Sequence, residues 1–160
     1  MKNRIDVLRE YIDSLLLNMP DTFERRCAYL HLYGVSQACA LIALKRGENV
    51  ELLTMAGMLH DLYTYKFMDS KNHAEKGAIL AREVLTELKL TNNMETETIC
   101  SAIHNHSSKG GQFSSFDEIL IDADIMQHCL YDMTKPIMEH EIKRFNGLID
   151  EFGLNISKQQ

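Results

Sequence analysis

Histidine and aspartate side chains that could bind a metal recur along the chain, near the ends or on the apolar faces of predicted helices. The adjacent pair His60 and Asp61 directly follows the apolar residues 55–59, so both side chains are expected to be buried. A buried carboxylate without a partner costs several kcal/mol. Because a divalent cation bound by Asp61 and imidazole nitrogens would offset this cost, the pattern predicts a metal site.

Further imidazoles and carboxylates flank this pair along the sequence. They are His31, His73, His104, His106, Asp122 and Asp124. His104 and His106 are two residues apart, about 200° around a helix, so both face one ion only if the helix ends there. Asp122 and Asp124 have the same spacing, and Asp122 is expected to face away as a solvated or lysine-paired surface acid.

The order of these residues resembles the signature of the HD superfamily of metal-dependent phosphohydrolases: one His, an adjacent His-Asp pair and a distant Asp. The matching residues are His31, His60, Asp61 and Asp124, and the resemblance covers most of residues 25–130. Asp124 lies in the sequence ADIM, which is similar to the Ala-Asp-x-apolar setting of the family. The resemblance implies that these four residues bind a divalent metal, and its context favours Asp124 over Asp122.

Two further segments resemble the branch of the family that binds two metal ions. Residues 73–78 (HAEKGA) are similar to its His-x-x-x-Gly-Ala helix start, and residues 102–108 (AIHNHSS) to its Ala-Ile-x-x-His segment. Both also resemble segments of bacterial symmetrical diadenosine tetraphosphate hydrolases. The resemblance implies that His73 and His106 bind a second metal ion, that Asp61 bridges the two ions, and that His104 lies outside the site.

The activity implied by the resemblance is hydrolysis of a phosphate ester or anhydride of a nucleotide by metal-activated hydroxide, with Asp61 as the catalytic residue. Mixed imidazole and carboxylate ligands suit one or two ions of iron, manganese, cobalt or nickel, and zinc is compatible. The expected substrate is a small phosphorylated nucleotide. Two other functions stay open: a di-iron oxygenase on the same scaffold, and a non-catalytic sensor that binds a nucleotide or metal.

Lysine side chains offer weaker candidates for substrate binding. Many relatives carry lysine three residues after the Asp of the His-Asp pair, where this chain has Thr64 and then Lys66 two residues later. Lys109 lies in the glycine-containing loop after His106. Both are predicted phosphate contacts. The Glu-Pro that follows the last Asp in the diadenosine tetraphosphate hydrolases is absent, since residues 125–128 read IMQH.

Helices are the elements that must position these residues. Apolar residues recur at spacings of three or four, and two prolines and eight glycines interrupt the chain. We predict an all-α, compact HD-domain bundle of about seven helices. Their approximate starts are residue 3, Asp21, Asn49, residue 73, Thr91, Ser115 and Thr134; the last ends near Phe152.

Composition sets the remaining expectations. A chain of 160 residues that is 45% hydrophobic predicts a single domain over 1–160, with a motif-bearing core at about 25–130 and a C-terminal helix at about 134–152. The four cysteines form no C-x-x-C pair and are interpreted as packed thiols. A net charge of −6 argues against long nucleic acids. The sequence has no apolar run typical of a signal peptide or a membrane span, so we expect a cytoplasmic protein with no membrane partner. We also expect a possible homodimer, because symmetric dimers are the commonest oligomers of soluble proteins.

Overall fold

The computed structural model describes residues 3–108 and 111–156. Within these two ranges the chain forms eight α-helices and no β-strand. The helices are α1 (Arg4–Leu17), α2 (Thr22–Arg46), α3 (Val50–Leu59), α4 (Leu62–Phe67), α5 (His73–Glu87), α6 (Asn93–Asn105), α7 (Ser115–Tyr131) and α8 (Glu139–Phe152). The all-α fold predicted from the spacing of apolar residues is confirmed, and the short α4 is an element that the sequence did not predict.

Side-chain caps explain where several helices begin. The Asp21 carboxylate accepts hydrogen bonds from the backbone N–H groups at the start of α2, and Asn49 does the same for α3. Asn92 forms a capping box with Glu95 at α6. Helix α7 begins at the predicted residue, Ser115, and its cap is the preceding Ser114, whose side chain accepts a hydrogen bond from the N–H of Asp117.

The last helix begins five residues later than predicted. The side chain of Asp132 accepts hydrogen bonds from both the N–H and the hydroxyl of Thr134, which holds the chain in a turn. Pro136 also disfavours helix at Lys135. As a result α8 starts only at Glu139.

Helix α3 lies at the centre of the packing. Seven of its ten residues are buried, as its nearly continuous apolar sequence predicted. It packs along α2, which also contacts α7, while α5 packs against α6. A Cβ at Gly57 of α3 would lie 2.6 Å from Cα of Ser36 on α2, so glycine is required for this close approach. The two helices that carry His31 and His60 are therefore held tightly together.

Helix α2 is long and apolar enough, by length and composition, to cross a membrane. However, 44% of its most apolar window is buried inside the protein, and central helices of soluble proteins share these properties. A smaller apolar cluster joins α7 to α8, formed by Ile121, Ile125, Cys129, Phe145 and Ile149.

Candidate metal centre

The six predicted ligands come from five separate parts of the fold and meet in one place. His31 lies within α2 and Asp124 within α7, while His73 is the first residue of α5. His60 follows the last residue of α3, and at Asp61 the backbone has left the helical conformation (φ −112°, ψ 12°). This break lets two adjacent side chains turn toward the same point. His106 similarly follows the last residue of α6.

A first group of donor atoms surrounds the Nε2 atoms of His31 and His60, which lie 3.1 Å apart. Oδ2 of Asp61 lies 3.3 Å from Nε2 of His31 and 3.6 Å from Nε2 of His60. Oδ1 of Asp124 lies 3.7 Å and 3.9 Å from the same two nitrogens. Two imidazoles and two carboxylates thus face a common centre.

A second group lies on the other side of Asp61. The Nε2 atoms of His73 and His106 are 3.3 Å apart. Oδ1 of Asp61 lies 3.4 Å from Nε2 of His106 and 3.6 Å from Nε2 of His73. Asp61 therefore presents one carboxylate oxygen to each pair of imidazoles.

The ring nitrogens that face away from these centres are fixed by hydrogen bonds. In three histidines Nδ1–H donates to a backbone carbonyl: His60 to Gly57 (2.8 Å), His73 to Ser70 (3.1 Å) and His106 to Ile103 (2.6 Å). Because a carbonyl only accepts, Nδ1 carries a proton, and in the neutral ring each Nε2 presents a lone pair to the centre. This is the tautomer in which histidine binds a metal through Nε2.

The donor set fits divalent cations. Lone pairs that face each other at 3.1 and 3.3 Å, close to two carboxylates, repel one another unless a positive charge lies between them. Oδ1 of Asp61 is buried, and the described part of the chain gives it no hydrogen-bond partner. Such an atom needs compensation. The groups His31, His60, Asp124 and His60, Asp61, His106 each have donor atoms close enough to bind one ion.

The site favours the protonation states that metal binding needs at Asp61 and His60. Burial raises the pKa of Asp61, but the imidazoles of His60, His106 and His31 outweigh it and hold that pKa well below its usual value. Burial lowers the pKa of His60 to about 4. For His31 and His106 burial is the largest single effect and lowers the pKa, but Asp61, Asp124 and the hydrogen bonds at Nδ1 together outweigh it, so the pKa of both rings is raised. The centre attracts positive charge, so protons compete with metal for these two rings.

The neighbouring candidates lie elsewhere. His104 is exposed on α6 beside Arg82 and Glu97, as predicted for the histidine that faces away. The prediction that Asp122 is a solvated or lysine-paired surface acid is wrong. Its side chain is buried and pairs with Arg46 at 2.8 Å and Arg144 at 2.9 Å.

The two predicted phosphate contacts are Lys66 and Lys109. Lys66 is exposed on α4, with Nζ 5.5 Å from the ring centroid of Phe67. Lys109 lies outside the described residues. Cys27, interpreted as a packed thiol, is half-buried and lines a cavity beside His31, whereas the other three cysteines are buried.

Sequence reasoning missed Gln127. Its Oε1 accepts a hydrogen bond from Nδ1–H of His31 (2.8 Å), so this side chain fixes the one ring that lacks a backbone partner at Nδ1. Gly34 makes room for it, because a Cβ at that position would lie 2.8 Å from Cγ of Gln127. The available signal was the spacing, since Gln127 lies three residues after Asp124 and hence on the same helix face.

Comparison with known proteins agrees with this arrangement. A profile of the HD domain family matches residues 28–128, which is more than half of the chain. A crystal structure of a predicted HD superfamily hydrolase from an uncultured Thermotogales bacterium is similar, with a TM-score of 0.58 and 19% sequence identity. The match covers 94% of this chain and 87% of that one. At this identity the likeness shows a shared fold.

Proposed function

The chain belongs to the HD domain family, and from this premise we propose that it is a metal-dependent phosphohydrolase acting on a phosphate ester or anhydride of a nucleotide. HD domains bind divalent metals, and the clustered His and Asp side chains are suitable ligands. The observation that carries the proposal is the position of Asp61, with one oxygen facing each of two imidazole pairs. This arrangement suits a pair of ions that share one carboxylate.

In this proposal each ligand has a defined place. His31, His60 and Asp124 would hold one ion. His73 and His106 would hold a second, and Asp61 would offer one carboxylate oxygen to each. A bound divalent metal would lower the pKa of water and neutralise charge on the phosphoryl group.

The contribution of the chain is to orient these groups before substrate arrives. Backbone carbonyls hold His60, His73 and His106 with Nε2 toward the centre. Asp61 is kept ionised by its neighbours, as a bridging ligand must be. Preorganised charges of this kind act strongly in a site that is largely shielded from water.

A nucleotide is proposed as substrate because residues 73–78 and 102–108 resemble segments of diadenosine tetraphosphate hydrolases. The net charge of −6 is consistent with a small phosphorylated molecule bound through metal, and unfavourable for long nucleic acids. The physiological location we propose is the cytoplasm.

The same ligands would also suit two iron ions, so a di-iron oxygenase is the second candidate. It predicts tightly retained iron and absorbance changes that depend on oxygen. A sensor without activity is less favoured, because all six ligands are present and oriented.

The proposal is tested by phosphate release from adenosine mono-, di- and triphosphate and diadenosine tetraphosphate, with protein loaded with Mn²⁺, Co²⁺, Ni²⁺ or Fe²⁺. We expect activity in the wild type and almost none in Asp61→Ala, with helix content by circular dichroism nearly unchanged. His104→Ala, which alters an exposed histidine near the site, should retain activity. A fully active Asp61→Ala protein would rule out the mechanism, and oxygen consumption without phosphate release would favour the oxygenase.

A further inference from the structure

A cavity of about 190 Å³ opens directly beside His31, between α2, α4 and α7. Its lining consists of Cys27, His31, Tyr65, Gln127, His128 and Tyr131. Tyr65 is half-buried, and its ring centroid lies 6.4 Å from that of His31, with the ring planes at 59°. A ligand in this cavity would contact a proposed metal ligand on one side and aromatic side chains on the others.

The lining indicates which part of a substrate fits. None of the six described lining residues is Asp, Glu, Lys or Arg. Nδ1 of His128 lies 3.0 Å from Oε2 of Glu141, so this imidazole already has a carboxylate partner. A phosphate group would find no unpaired cation among these side chains, whereas a flat, uncharged ring would find two tyrosines.

The size of the cavity points the same way. Pockets that enclose a whole small-molecule ligand have volumes of about 300–1,000 Å³. A volume of about 190 Å³ therefore suits a single ring system. Tyr131 and His128 also line a neighbouring cavity of about 400 Å³, so Tyr131 stands between the two spaces.

We infer that the base of the substrate binds in this cavity, stacked on Tyr65 and Tyr131, while its phosphate groups lie at the metal centre. This inference rests on the proposed function and specifies how its substrate is recognised. Stacking on aromatic side chains tolerates any base, because every base has a π face. The site is thus expected to distinguish a nucleotide from a sugar phosphate more sharply than one base from another.

The test compares the affinities of adenosine 5′-monophosphate and ribose 5-phosphate for the Mn²⁺-loaded protein, by calorimetry at low temperature. In the wild type the nucleotide should bind about tenfold more tightly. In Tyr131→Ala this ratio should fall toward one, and Tyr65→Ala should lower it too, whereas Tyr65→Phe should retain it. Phe23→Ala is the matched control, because Phe23 is 59% exposed and Tyr131 58%. The control should keep the wild-type ratio.

The inference fails if the wild-type ratio is near one, or if Tyr131→Ala leaves a tenfold ratio unchanged. Since Tyr131 is largely exposed, its variant tests the idea even if Tyr65→Ala does not fold. Hydrolysis of inorganic tripolyphosphate, which has no ring, tests the proposed function separately. Tripolyphosphate cleavage with a ratio of one would retain the hydrolase and reject the base site. A tenfold ratio that is lost in Tyr131→Ala, without phosphate release from any substrate, would retain the base site and reject the hydrolase.

Discussion

Oε1 of Gln127 lies 2.8 Å from Nδ1 of His31 and accepts its hydrogen bond. The other three histidines at the centre use backbone carbonyls for this purpose, so His31 alone depends on a side chain for its orientation. A side chain can be changed without moving the backbone. The contribution of this outer contact to metal binding can therefore be measured directly.

Replacing Gln127 by leucine should weaken Mn²⁺ binding by about 10–100-fold, because removal of a partner that orients a metal-binding histidine typically has this effect. Gln127→Glu keeps an acceptor for Nδ1–H and should retain most of the affinity. Gln37→Leu, at an exposed glutamine of α2, is the matched control. Equal affinities for Gln127→Leu and the wild type, measured by calorimetry, would show that His31 needs no such partner.

Gly34→Ala should also weaken Mn²⁺ binding, although it leaves the residues His31 and Gln127 themselves unchanged. The added Cβ would lie 2.8 Å from Cγ of Gln127 and must displace that side chain from His31. The two changes act through one contact, so the double variant Gly34→Ala/Gln127→Leu should bind Mn²⁺ no more weakly than Gln127→Leu alone. Fully additive losses of affinity would assign Gly34 a separate role.

Removal of one imidazole of the second pair should reduce the metal content. Elemental analysis of protein purified without chelator is expected to give two ions per chain for the wild type and one for His106→Ala. His104→Ala, two residues away and exposed, should keep two. A value of one for both the wild type and His106→Ala would give His73 and His106 supporting roles, and would favour a phosphatase with a single ion.

The six candidate ligands could be named from the sequence because each stands in a recognisable local pattern. His60 and Asp61 end an apolar helix, and the structure shows that the backbone turns there, which brings the adjacent side chains together. The choice of His106 over His104 came from the resemblance of residues 102–108, because helical spacing alone indicates only that these two side chains point apart. The contact between Gln127 and His31 was not predicted, because it depends on how α2 and α7 pack. The lack of a side chain at Gly34 leaves room for Gln127 between these helices.

Metal should stabilise the folded protein, because the facing lone pairs and the buried Oδ1 of Asp61 are compensated only in the bound form. Binding at a concentration 100 times the dissociation constant adds about 2.7 kcal/mol to the free energy of unfolding. For a chain of this size that corresponds to a rise in Tm of roughly 5–10 °C.

Differential scanning fluorimetry with and without Mn²⁺ measures this shift. EDTA should reverse it, and in Asp61→Ala it should be much smaller than in the wild type. A Tm that does not respond to any of Mn²⁺, Co²⁺, Ni²⁺, Fe²⁺ or Zn²⁺ would contradict binding at this centre.

The all-α class was predicted correctly, and the differences in detail have two causes. The start of α8 was misplaced because a local signal was overlooked: the side chain of Asp132 accepts a hydrogen bond from the N–H of Thr134, which forms a turn before the helix. The prediction for Asp122 was wrong for a different reason. Its partners, Arg46 and Arg144, are distant in sequence and contact it only when α2, α7 and α8 pack together.

The pair Asp122 and Asp124 offers a clear separation of stability from metal binding. Asp122 is buried between two arginines, whereas Asp124 faces His31 and His60. Asp122→Asn should lower the free energy of unfolding by about 1–3 kcal/mol, because Arg46 and Arg144 each lose one carboxylate partner and keep a second, Glu151 and Glu118 respectively. Its metal content should stay at the wild-type value. Asp124→Asn should lose metal while the metal-free proteins unfold at similar denaturant concentrations. The reverse pattern, with metal lost in Asp122→Asn and retained in Asp124→Asn, would mean that the wrong carboxylate of α7 has been assigned to the centre.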